Sequence, residues 1–206
     1  MKGTLITITG ISSTGKTTTA NYLHQIINQE LVGNKKQFRK PFLLLHLDNF
    51  VESLPKKYRL NEFEKKTKKI NSISPELIGL LEGITESIKT FLDLGFNVIF
   101  EGAYGHSVNQ YIQSSIPRIV PNKTETPLNV LYYKRYDIRL IRSLKGLMEN
   151  EKNRKNVEGM AEAQFQDPDY QKLSNQEFDL NIKVDGLTPA EIVATIFKDF
   201  TSKSKS

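Results

Sequence analysis

Short apolar runs alternate with longer amphipathic stretches along most of the chain. Runs rich in apolar and β-branched residues are predicted to be buried strands, and they cover residues 4–9, 42–47, 96–100, 128–133 and 180–184. Because strand and helix patterns alternate throughout, we expect one three-layer α/β domain with a mainly parallel sheet.

Helical periodicity fills the intervals between these runs. A helix is predicted after residue 17 and ends at Gly33, and another begins at Pro75 with Ser74 as its N-cap. Asp137 is predicted to cap a helix that continues through Leu147, and a closing helix covers residues 189–200. We therefore predict a single domain over residues 1–201, followed by a disordered Ser/Lys tail over residues 202–206.

A phosphate-binding motif follows the first predicted strand directly. Residues 10–17 read Gly-Ile-Ser-Ser-Thr-Gly-Lys-Thr and match G-x-x-x-x-G-K-[ST]. Glycines let the backbone fold around an anion, and the following helix adds its positive N-terminal end. The motif predicts that Lys16 reaches the β- and γ-phosphates and that the Thr17 hydroxyl binds Mg²⁺.

The remaining loop positions are candidate nucleotide-binding residues. They are Gly10, Ser12, Ser13, Thr14 and Gly15. Thr18 is a further candidate, although the pattern favours Thr18 and Thr19 as ordinary residues of the first helical turn.

Two carboxylates follow other buried strands. Asp48 and Glu101 stand at the predicted carboxyl ends of the second and third strands, where α/β proteins bind their ligands. Asp48 fits either a ligand-site residue or the N-cap of a short helix. Glu101 occupies the place of an acid that organises the water shell of Mg²⁺, so it is a candidate metal-site and catalytic residue.

Composition narrows the class of protein without naming a substrate. The 206 residues contain no Cys, which excludes disulfides and cysteine-based zinc or redox sites and fits a cytoplasmic location. No apolar run approaches the length of a membrane span, and no signal peptide fits before the first strand. The net charge of +6 suits an anionic substrate or an even scatter of surface Lys. No nucleic-acid motif is present, so nucleic acid is not an expected partner.

Basic residues provide candidates for contacts to the phosphates. Arg139 and Arg142 lie on the helix predicted from Asp137, and Arg154 lies in a charged connection over residues 149–156. A basic segment can close over a bound nucleotide, so Arg154 is also a candidate catalytic residue. The basic residues 52–72 fit either a substrate-covering segment or a solvated charged helix.

The loop and the two acids resemble a family of small phosphate-loop kinases that includes chloramphenicol phosphotransferase and the zeta toxins. Residues 47–55 (Leu-Asp-Asn-Phe-Val-Glu-Ser-Leu-Pro) are similar to Val-Asp-Ser-Leu-Ile-Glu-Ala-Met-Pro of the antibiotic kinase. Residues 97–102 resemble the zeta-toxin strand that ends in Ile-Glu-Gly. Residues 159–161 with Gln164 match the lid region of the antibiotic kinase, and residues 178–179 and 184–185 are similar to parts of its last strand.

The resemblance implies a P-loop NTPase fold, with a five-stranded parallel sheet in the order 2-3-1-4-5 flanked by helices and a lid near residues 149–165. It implies that Asp48 is the general base that takes the proton from a substrate hydroxyl. It implies ATP and Mg²⁺ as cofactors and a hydroxyl-bearing small molecule as the acceptor.

Two other functions remain open at this point. The chain could be a kinase for a nucleoside, nucleotide or nucleotide sugar, as in the zeta toxins. It could also be a nucleotide-binding regulator or effector that acts through a protein partner. The patterns do not indicate an oligomeric state.

Overall fold

Five parallel strands form the sheet of this protein. In a computed structural model, described for residues 2–33, 40–55, 75–119, 132–153 and 159–203, the strands are β1 Thr4–Thr9, β2 Phe42–His46, β3 Asn97–Gly102, β4 Lys134–Ile141 and β5 Leu180–Lys183. All four pairings are parallel and the order is β2-β3-β1-β4-β5. This confirms the predicted fold and strand order.

Helices connect the strands and cover both faces of the sheet. They are α1 Lys16–Gly33, α2 Leu47–Ser53, α3 Pro75–Asp93, α4 His106–Ser115, α5 Leu144–Asn153, α6 Met160–Gln166, α7 Pro168–Gln171 and α8 Pro189–Lys203, with a 3-10 turn at Lys172–Asn175.

Two apolar cores lie on opposite faces of the sheet. Ile6 and Ile8 of β1 pack into the core that contains residues of α1 and α8. Leu5 of the same strand points the other way, into the core that contains residues of α3 and α4. Alternate residues of one strand therefore enter different cores, as expected for a parallel sheet covered on both faces.

The fourth strand differs from its prediction. Residues 120–131 lie outside the described residues, and β4 covers Lys134–Ile141, so the helix predicted from Asp137 is wrong over this stretch. Asp137 is not a helix cap: it is a buried strand residue paired with Thr7 of β1. The helix α5 begins only at Leu144.

A buried ion pair explains how charged residues occupy the central sheet. Arg135 Nε donates to Asp137 Oδ2 at 2.8 Å, and Thr7 Oγ1 donates to Asp137 Oδ1 at 2.7 Å. Arg135 Nη1 also donates to the carbonyls of Gln113 and Ile116. Because each charge has a partner and further hydrogen bonds, the strand continues through residues that look like surface residues in the sequence.

Other predictions differ at their boundaries or lie outside the described residues. β2 ends at His46 because Leu47 begins α2, and α8 includes Ser202 and Lys203, which were assigned to the tail. The segment 56–74, with Ser74, lies outside the described residues, as do residues 154–158 with Arg154, and 204–206.

Candidate active site

The phosphate-binding motif forms a tight loop between β1 and α1. Gly10 has φ of +150°, and a Cβ there would lie 2.5 Å from the carbonyl oxygen of Leu140 on β4. Gly15 has φ of +96°. Both positions therefore require glycine, one for close strand packing and both for the backbone angle. Thr14 Oγ1 donates to the Ile11 carbonyl at 2.9 Å, which closes the loop on itself.

Lys16 begins α1 and lies across this loop. Its side chain is buried, and Nζ donates to the carbonyl oxygen of Ile11 at 2.9 Å. The ammonium group is thus held at the opening of the loop, next to the positive N-terminal end of an 18-residue helix. This arrangement is suited to a polyphosphate.

The buried carboxylate of Glu101 lies beside the phosphate loop. Glu101 on β3 is 1% exposed, and its Oε1 accepts hydrogen bonds from Thr17 Oγ1 at 3.2 Å. The same oxygen lies 2.7 Å from His46 Nδ1 at the end of β2. The strand register explains the contact, because His46 pairs with Glu101 and Glu101 pairs with Ile8 at the end of β1. Of the predicted metal-site residues, Thr17 and Glu101 are therefore brought together.

Asp48 faces a cavity that reaches the phosphate loop. It is the second residue of α2, whose N-cap is His46, so Asp48 is not itself the N-cap. The cavity has a volume of about 180 Å³ and is lined by Ser12, Leu47, Asp48, Val51, Ala103, Met160 and Gln164. Asp48 and Ser12 of the phosphate loop therefore border the same cavity.

The Tyr170 hydroxyl lies near the Asp48 carboxylate. Tyr170 is buried and donates from its hydroxyl to the Ala103 carbonyl at 3.2 Å. Burial raises its pKa, and nearby carboxylates raise it further: Asp167, Asp169 and Asp48. Because this pKa rises from an ordinary value that is already well above neutral, the Tyr170 hydroxyl keeps its proton at neutral and moderately alkaline pH.

Two side chains from α5 and α6 bind the backbone of the phosphate loop. Asn150 Nδ2 donates to the Ser13 carbonyl at 2.9 Å, and Gln164 Oε1 accepts from the Ser12 amide at 2.6 Å. The sequence indicates Gln164 only through the resemblance around residues 159–164, and it indicates no role for Asn150 beyond its place in the charged connection 149–156. The spacing along the chain, 137 and 152 residues, leaves no local signal for either contact.

A buried carboxylate fixes the start of α6. Glu151 is 5% exposed and accepts hydrogen bonds from the backbone amides of Gly159 and Ala161, both at 2.8 Å. Gly159 adopts φ of +87°, which allows the chain to turn into the helix. Glu151 thereby satisfies amides at the N-terminus of α6 and fixes the helix that carries Gln164.

Replacing Glu151 with Ala should lower the free energy of unfolding by roughly 1–3 kcal/mol, because a partly buried amide and a buried amide at the start of α6 lose their acceptor. Chemical denaturation measures this change, and hydrogen exchange of the amides in residues 159–166 should accelerate. Glu149→Ala, an exposed change in the same helix, should alter stability by less than about 0.5 kcal/mol. Equal effects of the two substitutions would contradict the capping role.

Arg139 and Arg142 have different hydrogen-bond partners. Arg139 is on β4 and donates from Nη1 to the Leu173 carbonyl at 2.9 Å, and burial lowers its pKa. Arg142 follows the strand, with Nη2 at 3.4 Å from the Val184 carbonyl and a buried Nε that has no partner among the described residues. Both were predicted on a helix, and neither is on one. Thr18 is an exposed residue of the first turn of α1.

A comparison with protein-family models identifies the family of this chain. The model of the family described as chloramphenicol phosphotransferase-like protein matches residues 3–122, which include the phosphate loop, Asp48 and Glu101. The chain belongs to this family. The expected relationship is therefore confirmed, and family and fold together support a phosphotransferase of the P-loop kinase type.

Several solved kinases share the fold over nearly their whole length. A sugar kinase from Janibacter sp. HTCC2649 is 12% identical to this chain, with a TM-score of 0.62. The alignment covers 97% of this chain and 95% of the sugar kinase chain. A gluconokinase from Sinorhizobium meliloti 1021 is 15% identical with a TM-score of 0.56, over 99% and 94%. An APS kinase from Mycobacterium tuberculosis, in complex with AMPPNP and APS, is 12% identical with a TM-score of 0.56, over 97% and 98%. At these identities the likeness shows the fold alone.

No curated protein matches the chain by sequence. Within the part of the chain that the structure describes, no helix is both long and apolar enough to cross a membrane. Among the same residues, no three His, Cys, Asp or Glu side chains cluster as a metal-binding group.

Proposed function

We propose that this protein transfers the γ-phosphate of ATP to a hydroxyl group of a small-molecule acceptor, with Mg²⁺ as the metal. The observation that carries the proposal is the cavity shared by Ser12 of the phosphate loop and the carboxylate of Asp48. The binding site of the phosphate donor and a candidate general base border one cavity. Phosphoryl transfer requires the two to be close together.

The loop and Lys16 would hold the nucleotide. The backbone of residues 10–17 and the N-terminus of α1 would bind the phosphates, and Lys16 Nζ would move from the Ile11 carbonyl to the β- and γ-phosphates. Arg142 and Arg154 remain proposed contacts of the nucleotide. Arg139 is a weaker proposal, because its guanidinium donates to the Leu173 carbonyl.

Asp48 would act as the general base. Its carboxylate is exposed at the wall of the cavity, where an acceptor hydroxyl could approach the loop. In a loose phosphoryl-transfer transition state the hydroxyl proton leaves late, so a positioned carboxylate can accept it. Ser12 lies on the loop side of the same cavity.

The donor set beside the loop fits Mg²⁺. Thr17 Oγ1 and Glu101 Oε1 are hard oxygen donors 3.2 Å apart, and Mg²⁺ prefers oxygen ligands from few protein groups, substrate phosphates and water. Thr17 would bind the ion directly, and Glu101, oriented by His46, would accept hydrogen bonds from its water ligands. When bound, the ion would neutralise charge on the phosphates.

Two alternatives keep the same nucleotide site. A nucleoside, nucleotide or nucleotide-sugar kinase would use Asp48 in the same way on a larger acceptor. A nucleotide-dependent effector would instead hydrolyse ATP slowly with no acceptor. Asp48 within the cavity favours an acceptor hydroxyl over hydrolysis alone.

An acceptor screen tests the proposed function. Purified protein is incubated with Mg²⁺, [γ-³²P]ATP and a panel of sugars, polyols, nucleosides and hydroxyl-bearing antibiotics, and labelled products are separated from free phosphate. We expect a labelled ester with at least one acceptor class and none when EDTA is added. Release of inorganic phosphate alone, unaffected by every acceptor, would favour the effector alternative.

A further inference from the structure

Gln164 on α6 is a buried amide that connects the phosphate loop with the Asp48 cavity. The side chain is 2% exposed, lines the cavity of about 180 Å³, and accepts the Ser12 amide hydrogen at 2.6 Å. The side-chain amide has a carbonyl oxygen, which accepts hydrogen bonds, and an NH₂ group, which donates them. Only the carbonyl oxygen contacts the loop.

The contact to Ser12 determines the orientation of the amide. Ser12 offers a backbone N–H, which only the carbonyl oxygen of Gln164 can accept. The NH₂ group therefore points away from the loop. Among the residues that the structure describes, Nε2 has no hydrogen-bond partner, although Gln164 forms part of the cavity wall. Two donor hydrogens thus remain for a ligand on the Asp48 side.

The chemistry of the NH₂ group favours an acceptor oxygen over a phosphate. In the proposed site the backbone N–H groups of the loop and Lys16 bind the phosphates. The neutral side-chain amide of Gln164 suits a neutral oxygen such as that of a hydroxyl, ether or carbonyl. Asp48, on the wall of the same cavity, carries only acceptor oxygens and suits the hydroxyl that reacts. The cavity therefore offers a hydrogen-bond acceptor, Asp48, for one hydroxyl of a substrate. It offers a hydrogen-bond donor, Gln164, for a second substrate oxygen.

We propose that Gln164 positions the acceptor by donating from Nε2 to an oxygen adjacent to the hydroxyl that is phosphorylated. This inference rests on the proposed function and names a substrate class: alcohols that carry a second oxygen on the neighbouring carbon, such as vicinal diols and polyols. An alcohol without that oxygen cannot accept this hydrogen bond, which costs binding in the transition state.

The helix that carries Gln164 is held firmly enough for such a role. Glu151 binds the amides of Gly159 and Ala161 at the start of α6, and Ser12 fixes the amide end of the side chain. A donor fixed at both its backbone and its tip loses little entropy when it binds a substrate oxygen.

The test compares alcohols that differ by one oxygen. Pairs are glycerol with 1,3-propanediol and 1,2-cyclohexanediol with cyclohexanol, and kcat/KM is measured for each with wild type, Gln164→Leu and Asn150→Leu. Asn150→Leu is the matched control, because it removes the other contact to the loop, at Ser13, without changing a residue of the cavity wall.

We expect wild type to prefer the oxygen-rich member of a pair by roughly ten-fold, the effect of one hydrogen bond to a donor on the cavity wall. Gln164→Leu should reduce that ratio to about one, and Asn150→Leu should leave it unchanged. An unchanged ratio in Gln164→Leu, with both members slowed equally, would overturn the inference and assign Gln164 to the phosphates or to loop structure.

Failure of this inference is distinguishable from failure of the proposed function. If the acceptor screen yields a phosphate ester only with alcohols that lack a neighbouring oxygen, so that every vicinal diol and polyol in the panel stays unlabelled, the substrate class is wrong and phosphotransfer stands. If no acceptor in the screen is phosphorylated, the proposed function itself fails.

Discussion

Replacing Asp48 with Asn should reduce phosphotransfer to the acceptor by roughly 10²–10⁴-fold, the usual contribution of a general base. The amide keeps the size of the side chain but cannot take the hydroxyl proton. ATP affinity should change little, because Asp48 lines the acceptor side of the cavity and, among the residues that the structure describes, is not hydrogen-bonded to the phosphate loop. Steady-state kinetics with the acceptor at saturation, and equilibrium titration of a fluorescent ATP analogue, measure the two quantities separately.

Glu82→Gln is the matched control for this substitution. It removes one carboxylate charge from an exposed position on α3, so both rate and affinity should remain at the wild-type level. Full phosphotransfer by Asp48→Asn would show that another group takes the proton, or that the proton leaves without a base.

Replacing Lys16 with Met should lower kcat/KM for ATP by roughly 10²-fold or more, because one buried charged donor at the reacting phosphate is lost. Met retains much of the length of the side chain, so the loop can keep its packing. Both nucleotide affinity and turnover should fall, in contrast to Asp48→Asn, which should affect turnover alone. Isothermal titration with a non-hydrolysable ATP analogue and initial-rate kinetics separate the two effects.

Lys198→Met provides a control for charge. This exposed lysine lies on α8, so its loss changes the net charge equally without touching the loop. Unaltered nucleotide affinity in Lys16→Met would mean that residues 10–17 do not bind ATP phosphates as proposed.

The centre of the sheet and the phosphate loop could be predicted from sequence because their signals are local. β1, the loop and α1 occupy consecutive residues, and each required glycine lies within the motif itself. Asp48 and Glu101 could be located for the same reason, since each directly follows an apolar run whose carboxyl end must lie at the ligand-binding edge of a parallel sheet.

The fourth strand could not be predicted in this way. Arg135 and Asp137 interrupt its apolar pattern, and the alternation of Ile138 and Leu140 continues into Leu144 and Leu147 with helical spacing. Only the partners of the charged residues, Thr7 on β1 and the carbonyls of Gln113 and Ile116, make them acceptable inside the sheet. Pairing of this kind depends on tertiary structure, so the apolar pattern misplaced both the strand and Arg139.

The missed site residues share the same cause. His46 approaches Glu101 across 55 positions of sequence, and Gln164 approaches Ser12 across 152. His46 did carry a signal, as the polar residue within the apolar run 42–47. Gln164 carried one only through its place after Gly159 in a stretch that resembles the antibiotic kinase.

The most direct test of the account is ³¹P nuclear magnetic resonance of a reaction that contains ATP, Mg²⁺ and a hydroxyl-bearing acceptor from the screen. With wild type we predict that the γ-phosphate resonance is replaced by that of a phosphate monoester of the acceptor, together with ADP. With Asp48→Asn the γ-phosphate resonance should persist over the same time. Conversion of ATP to ADP and inorganic phosphate alone, at the same rate in both proteins and with every acceptor, would contradict the account.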